Sequence, residues 1–219
     1  MRSEKHEKTD YKTGMDLEDR RDFWSRDSEG KHDQKETGET AGSFIKSLLV
    51  DVVIAVMLAG AVLYFIRPTI VKQTSMENTL HENDYMIMYR QAYKKHDPER
   101  GDIVIFQSEL TDEESGKDKL LIKRVIGLPG DEIMISEGQL YINGEPYAED
   151  YLKDGYTPAF DIPLEGETFK VPDGEYFCMG DNRVGSVDSR RSEVGCVARE
   201  LIKGKVVIRL FPFNKIKTF

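Results

Sequence analysis

The sequence predicts a mainly β domain of antiparallel sheets, preceded by one N-terminal transmembrane helix and a disordered tail. Three observations predict it. Phe44 to Ile66 is an almost unbroken apolar run of about 23 residues, the length a helix needs to cross a ~30 Å hydrocarbon core. Before it, Met1 to Ser43 is crowded with Lys, Arg, Asp, Glu, Ser, Thr and Gly, with Leu17, Phe23 and Trp24 among its few sizeable apolar groups. Such a segment cannot bury enough surface to offset the entropy of ordering. Beyond Pro68, short apolar runs are separated by Gly, Pro, Asp and Asn, the punctuation of a sheet-rich domain. The expected divisions are a charged tail over 1–43, a membrane helix over 44–66 and a β domain over 67–219.

Within the helix, Lys46 and Asp51 lie in the first half, where a charge costs least near an interface it can reach by snorkelling. A cleavable signal peptide is the competing reading. The run is too long for one and ends in Arg67-Pro68 rather than a small-residue cleavage site. A buried core helix would keep a polar face, and Val52 to Ile66 has almost none. Lys31, Lys35 and Lys46 before the span against Arg67 and Lys72 after it leave its orientation undecided by charge.

Strands are expected at Asp84–Tyr89, Asp102–Gln107, Lys119–Ile126, Glu132–Ser136, Gln139–Ile142, Glu175–Met179 and Lys205–Leu210, with tight turns at Glu137-Gly138 and Asn143-Gly144. Glu109–Lys117 reads as a solvated loop. Tyr147–Lys170 mixes Pro, Gly, acids and aromatics without periodicity and reads as an extended excursion.

With 39% hydrophobic and 32% charged residues, the 219-residue chain has material for one folded domain and an appendage. Its net charge of −9 lacks the basic footprint of a nucleic-acid binder, so no nucleic acid is expected as partner. Cys178 and Cys196 have no metal-ligand spacing, and His6, His32, His81 and His96 are scattered, so no metal or cofactor is expected. The two cysteines read as small core residues, with a disulfide as the alternative for a domain outside the cell.

Three runs carry chemistry: Thr74-Ser75-Met76, Ile122-Lys123-Arg124-Val125, and Gly180 to Arg190. A serine hydroxyl needs a base within hydrogen-bond reach, usually a histidine. His81, near Ser75 in sequence, reads more simply as a turn residue. A lysine serves instead when desolvation lowers its pKa. In an extended strand Leu121, Lys123 and Val125 share one face, so the Lys123 amine emerges from an apolar row. On this strand alone Lys123 also reads as a lysine snorkelling at an edge, and Ser75 as a turn serine.

The order of the three runs behind an apolar span resembles type I signal peptidases, membrane-anchored Ser/Lys proteases that remove signal peptides from exported proteins. The resemblance extends from the span to Phe219. Ser75-Met76 is similar to the family's nucleophile segment, Arg100-Gly101-Asp102-Ile103-Val104 to its strand opening, Lys123-Arg124 with Gly127-Leu128-Pro129-Gly130-Asp131 to its base segment, and Gly180 to Arg190 to its last box. It implies Ser75 as nucleophile, Lys123 as general base, Ser186 as a hydrogen-bond partner that orients the lysine, Asp188 and Arg190 as a supporting ion pair, and Asp181 and Arg124 as scaffold.

Two departures stand out. Asn78 occupies the place of the family's usual proline, and Gln73 that of a serine or glycine that helps form the oxyanion hole. The Ser75 N–H is one donor to that hole and the second is unassigned.

From Ile66 to Ser75 the chain reaches at most roughly 30 Å, which puts the nucleophile near the bilayer face and suits a membrane-held substrate. The resemblance implies preprotein signal peptides with small residues before the cut, two shallow pockets for which Met76, Tyr85 and Ile87 are the candidates, and the lipid bilayer and secretion translocase as further partners. It also implies a single-pass plasma-membrane protein, N-terminus cytoplasmic and catalytic domain outside. The alternative is a membrane-anchored, catalytically inactive relative that binds precursors or assists surface assembly. A repressor-type Ser/Lys self-cleavage domain fits less well, because the chain has a membrane span and no DNA-binding helix pair.

Overall fold

The computed structural model describes residues 41–112 and 116–219, so the tail expected over 1–43 lies outside the described residues except for its last positions. Those positions, Ala41 to Ser43, are already helical and open α1 (Ala41–Phe65). The chain divides into two compact units, one ending at Asp51 and one beginning at Val52. Along α1 the large apolar side chains, among them Leu48, Val52, Met57, Leu58 and Leu63, are exposed. An apolar surface of that length suits lipid rather than water.

The helix ends at Phe65, and Ile66 begins a strand directly. Pro68 accounts for the change, since the residue before a proline is pushed out of the helical region. That strand, β1 (Ile66–Ile70), pairs antiparallel with β2 (Tyr85–Tyr89) and forms the sheet edge, where a proline's missing N–H is tolerated. The sequence pattern places Ile66 in the helix and marks no strand over 67–70, so this edge strand is an addition.

The larger sheet continues with β11 (Ile202–Phe211), β3 (Ile103–Thr111), β4 (Asp118–Gly127), β9 (Glu175–Met179) and β10 (Val197–Ala198), in the order β1-β2-β11-β3-β4-β9-β10, with β12 (Lys217–Thr218) beside β11. A second sheet orders β7 (Glu145–Pro146), β6 (Gln139–Ile142), β5 (Glu132–Ser136) and β8 (Thr168–Lys170). All seven expected strands are present. Part of the expected loop Glu109–Lys117 is strand instead: β3 runs to Thr111, which pairs with Asp118 across a register shift, while 113–115 lie outside the described residues.

The turns Glu137-Gly138 and Asn143-Gly144 have positive φ at both residues, 52° and 76° in the first and 54° and 84° in the second. These are the primed hairpin turns that match strand twist. Among the described residues three apolar clusters fill the fold. One joins Val71, Met76, Leu80, Met86, Met88 and Ile105; a second underlies β5 and β6; the third holds Val104, Phe106, Leu121, Val125 and Cys178.

Candidate active site

Strand β4 sits between β3 and β9, so its side chains are buried on both faces from Lys123 onward. Alternation places Leu121, Lys123 and Val125 together, and Leu121 and Val125 pack in one apolar cluster. The Lys123 side chain is 1% exposed. Burial lowers its pKa from 10.5 to about 8, against the pull of Asp188, which favours the charged form.

Opposite it, Thr74–Met76 forms a single 3₁₀ turn after β1. Met76 and Leu80, both buried in the first cluster, pin this turn, and the Leu80 N–H bonds to the Met76 carbonyl at 2.8 Å. Asn78 has φ +84°, a left-handed conformation closed to proline and tolerated by asparagine. The departure at this position thus goes with a different turn, not with a looser version of a proline turn. The result brings Lys123 Nζ to 2.7 Å from Ser75 Oγ, 48 residues away in sequence; the amine also reaches the Ile122 carbonyl at 3.2 Å.

The run from Gly180 closes the site. Asn182 donates its backbone N–H to the Ser75 carbonyl at 3.0 Å and its side-chain amide to the Thr74 carbonyl at 3.2 Å. Gly180 is needed as glycine, because a Cβ there would lie 2.2 Å from Ser186 Oγ and 2.4 Å from the Ser75 carbonyl oxygen. Asp188 and Arg190 form a bidentate pair, fully buried, with Nε–Oδ1 2.9 Å and Nη2–Oδ2 2.8 Å. Burial alone would raise the Asp188 pKa, but Arg190, the Gly180 N–H and the nearby Ser186 hydroxyl outweigh it and hold the carboxyl below its usual range. Ser186 Oγ itself makes no hydrogen bond of good geometry. The expected bond from Ser186 to Lys123 is therefore not formed here; Ser186 is packed against Gly180 instead. Arg124 pairs bidentately with Asp181, at 2.9 and 2.6 Å, and donates to the Gly101 carbonyl at 2.8 Å.

Two clefts meet at Ser75. One, of about 400 Å³, is lined by Gln73, Ser75, Leu121, Lys123, Gly185 and Val187. The other, about 660 Å³, has Met76, Met88, Ile105 and Ile122 on its apolar floor. Met76 lines the second of these clefts; Tyr85 and Ile87 line neither of them. On β2 they share the face opposite Met86 and Met88, and Tyr85 stacks edge-on against Phe211 at 5.8 Å.

His81 is engaged elsewhere, 4.0 Å from Asp84. Both cysteines are free. Cys178 packs in the third cluster and Cys196 against the second. Burial raises both thiols, Cys196 to about 12. Among the described residues no group of His, Cys, Asp and Glu is placed to hold a metal ion.

A serine hydroxyl in contact with a buried, pKa-lowered lysine, at the junction of two clefts and behind an apolar helix, defines the class of a membrane-anchored serine hydrolase. Sequence relatives narrow it. Residues 43–211 match the family described as Signal peptidase, peptidase S26. Signal peptidase I of Bacillus licheniformis is 35% identical over 191 residues, covering 84% of this chain and 97% of that protein. Probable signal peptidase I-2 of Synechocystis is 39% identical over 167 residues, 75% of this chain and 72% of that one. Signal peptidase I T of Bacillus subtilis is 37% identical over 172 residues, 76% and 85%. The chain belongs to the signal peptidase family, peptidase S26, and its activity is that of a serine peptidase that cleaves signal peptides.

Sequence reasoning left several residues of the site without a role. Gly180, Asn182 and Arg183 stood inside a quoted run but carried no assigned contact. Glu149, Tyr151 and Thr157 lie in the aperiodic excursion, where no local pattern marks them.

Proposed function

We propose that Ser75 is the nucleophile and Lys123 the general base of this peptidase. The single observation that carries the reading is the 2.7 Å contact between Ser75 Oγ and a lysine held neutral-prone by burial. Neutral Lys123 accepts the Ser75 proton as Oγ attacks the scissile carbonyl, and the Ser75 N–H stabilises the oxyanion. The C–N bond breaks, the amine leaves with a proton returned from Lys123, and an acyl-enzyme remains. Lys123 then takes a proton from the water that hydrolyses the ester. Asp188–Arg190 and Asp181–Arg124 hold the surrounding backbone, and Ser186 fills the space between Gly180 and the dyad.

The substrates are preproteins whose residues before the cut are small, received over the cleft floored by Met76, Met88 and Ile122. Helix α1 anchors the protein in the plasma membrane, with the N-terminus cytoplasmic and the β domain outside, where exported precursors emerge. The expected tail, membrane helix and β domain describe that arrangement, with the helix running Ala41–Phe65 and the first strand beginning at Ile66.

The test is cleavage of a preprotein bearing an Ala-x-Ala site by the detergent-solubilised chain, beside Ser75→Ala and Lys123→Ala variants shown to be folded. Wild type is expected to cut after the second alanine and both variants to fall by at least about 10³-fold. Activity retained in either folded variant removes that residue from its role.

A further inference from the structure

The excursion from Tyr147 to Lys170 is not a passive loop. Glu149 on it pairs with Arg183 through both carboxylate oxygens, and both side chains are buried, at 6% and 2% exposure. Arg183 also binds the Thr157 hydroxyl, and its Nε donates to the Gly180 carbonyl at 3.0 Å. The Arg183 carbonyl in turn accepts from Arg190 Nη2 at 2.7 Å, and Arg190 reaches back to the excursion at the Pro158 carbonyl, 2.9 Å away. Two residues beyond Glu149, the Tyr151 ring lies 4.1 Å from the Arg124 guanidinium, which is fixed by Asp181 and is the chain neighbour of Lys123. Glu149 accepts from the Tyr151 hydroxyl at 2.6 Å. One acidic residue therefore ties the two halves of the site: the Gly180–Arg190 segment through Arg183, and the Lys123 strand through Tyr151 and Arg124. Neither cleft includes it.

We infer that Glu149 is a positioning residue of this peptidase, holding Arg183 and Tyr151 so that the Gly180–Arg190 segment stays closed over the Ser75–Lys123 pair. The inference rests on the dyad reading above. A carboxylate buried this deeply is costly unless paired, and Arg183 with its fork of donors repays that cost only in one orientation. The orientation fixes the Gly180 carbonyl, hence the Gly180 N–H that binds Asp188 at 3.0 Å and the gap that Ser186 fills.

Loosening the segment admits water to Lys123. The groups that bear on its charge are Asp188 and Arg190 on that segment, Cys178 on β9 and Lys119 on its own strand. None of them is altered by substituting Glu149. Restored hydration favours the ammonium form, so more alkaline pH is needed to free the base.

The experiment measures kcat, KM and the pH dependence of kcat/KM on an Ala-x-Ala peptide for wild type, Glu149→Gln, and the double variant Glu149→Gln/Arg183→Met, with melting curves for each. The double variant leaves no buried charge unpaired and so keeps the fold where the single one fails. The expected result, read on whichever variant is folded, is kcat down about tenfold or more, KM within about twofold, and the rising limb of kcat/KM moved alkaline by about half a pH unit or more. Part of the loss is then recovered at high pH. A uniform fall at every pH with an unmoved limb, kcat within about twofold of wild type, or loss of folding in both variants overturns the inference. Those results leave the dyad standing as long as wild type needs Lys123. Full activity in Lys123→Ala removes the dyad reading itself.

Discussion

A lysine at 1% exposure keeps its charge only at a cost, and that cost is what fits Lys123 to act as a base. On the dyad reading, the working form is the neutral amine. Activity then grows as pH rises through the Lys123 pKa of about 8, and kcat/KM on an Ala-x-Ala peptide is expected to climb in that region. A limb centred near 10.5 would deny the lowered pKa. The same shift links to stability. Between about 8 and 10.5 the unfolded chain binds the lysine proton that the folded one has released, so this group's contribution to stability increases with pH across that window. Lys123→Met, which removes the group, is expected to melt higher than wild type at pH 7. The advantage, up to roughly 3 kcal/mol, shrinks as pH goes from 8 to 10.5. A pH-independent gap in Tm contradicts it. Gly180 is the second residue with a sharp expectation. Its alanine variant must displace both Ser186 and the Ser75 carbonyl, at 2.2 and 2.4 Å from the new Cβ. Since a misplacement of about 1 Å costs about 100-fold, kcat/KM should fall by that order while the protein stays folded.

At the scale of elements, the nucleophile turn is held from two sides. Arg209 on β11 pairs with Asp84 at 3.1 Å and donates to the Thr79 carbonyl at 2.9 Å. From β4, Arg124 approaches the Thr79 hydroxyl at 3.4 Å. Asp84 also accepts the His81 N–H at 2.9 Å, which closes the turn before β2. Both partners of the Asp84–Arg209 pair are nearly inaccessible, so removing one strands the other. Asp84→Ala is expected to destabilise by about 3–5 kcal/mol in denaturant unfolding, and Asp84→Ala/Arg209→Leu to recover much of that. A single-variant loss below about 1 kcal/mol would mean that water already shields the pair. Strand parity belongs to this scale too. Along β4 the sequence pattern allowed the correct face to be read, because Lys123 interrupts an otherwise apolar row. Along β2, Tyr-Met-Ile-Met-Tyr is apolar at every position, and nothing local says which face looks at the cleft.

For the molecule as a whole, the junction between helix and sheet sets what can be removed. β1 begins at Ile66, immediately after the helix, and its five residues pair with β2. A chain starting at Ile66 is expected to fold and to cut short peptides in detergent. One starting at Val71 lacks the edge strand and leaves the β2 ladder open, so it should melt lower or aggregate. Circular dichroism melts and peptide cleavage on the two truncations check this, and equal stability of both would remove β1 from the fold's requirements.

The membrane helix, the sheet-rich domain and the two primed turns were legible because each is written in local chemistry: continuous apolarity, alternation, and Asn-Gly or Glu-Gly pairs that accept positive φ. So was the pairing of a serine with a lysine, through segments whose order resembles a family. What lay beyond sequence was everything decided by residues far apart meeting in space. The 2.7 Å approach of Ser75 and Lys123, Ser186 packed without a hydrogen bond to Lys123, and Glu149 reaching Arg183 depend on how β4, the 3₁₀ turn and the excursion pack together. Local propensity sets which conformations a segment can adopt. Only burial, which removes water from a lysine and requires every hidden charge to find its counterpart, decides which of them makes a catalytic site.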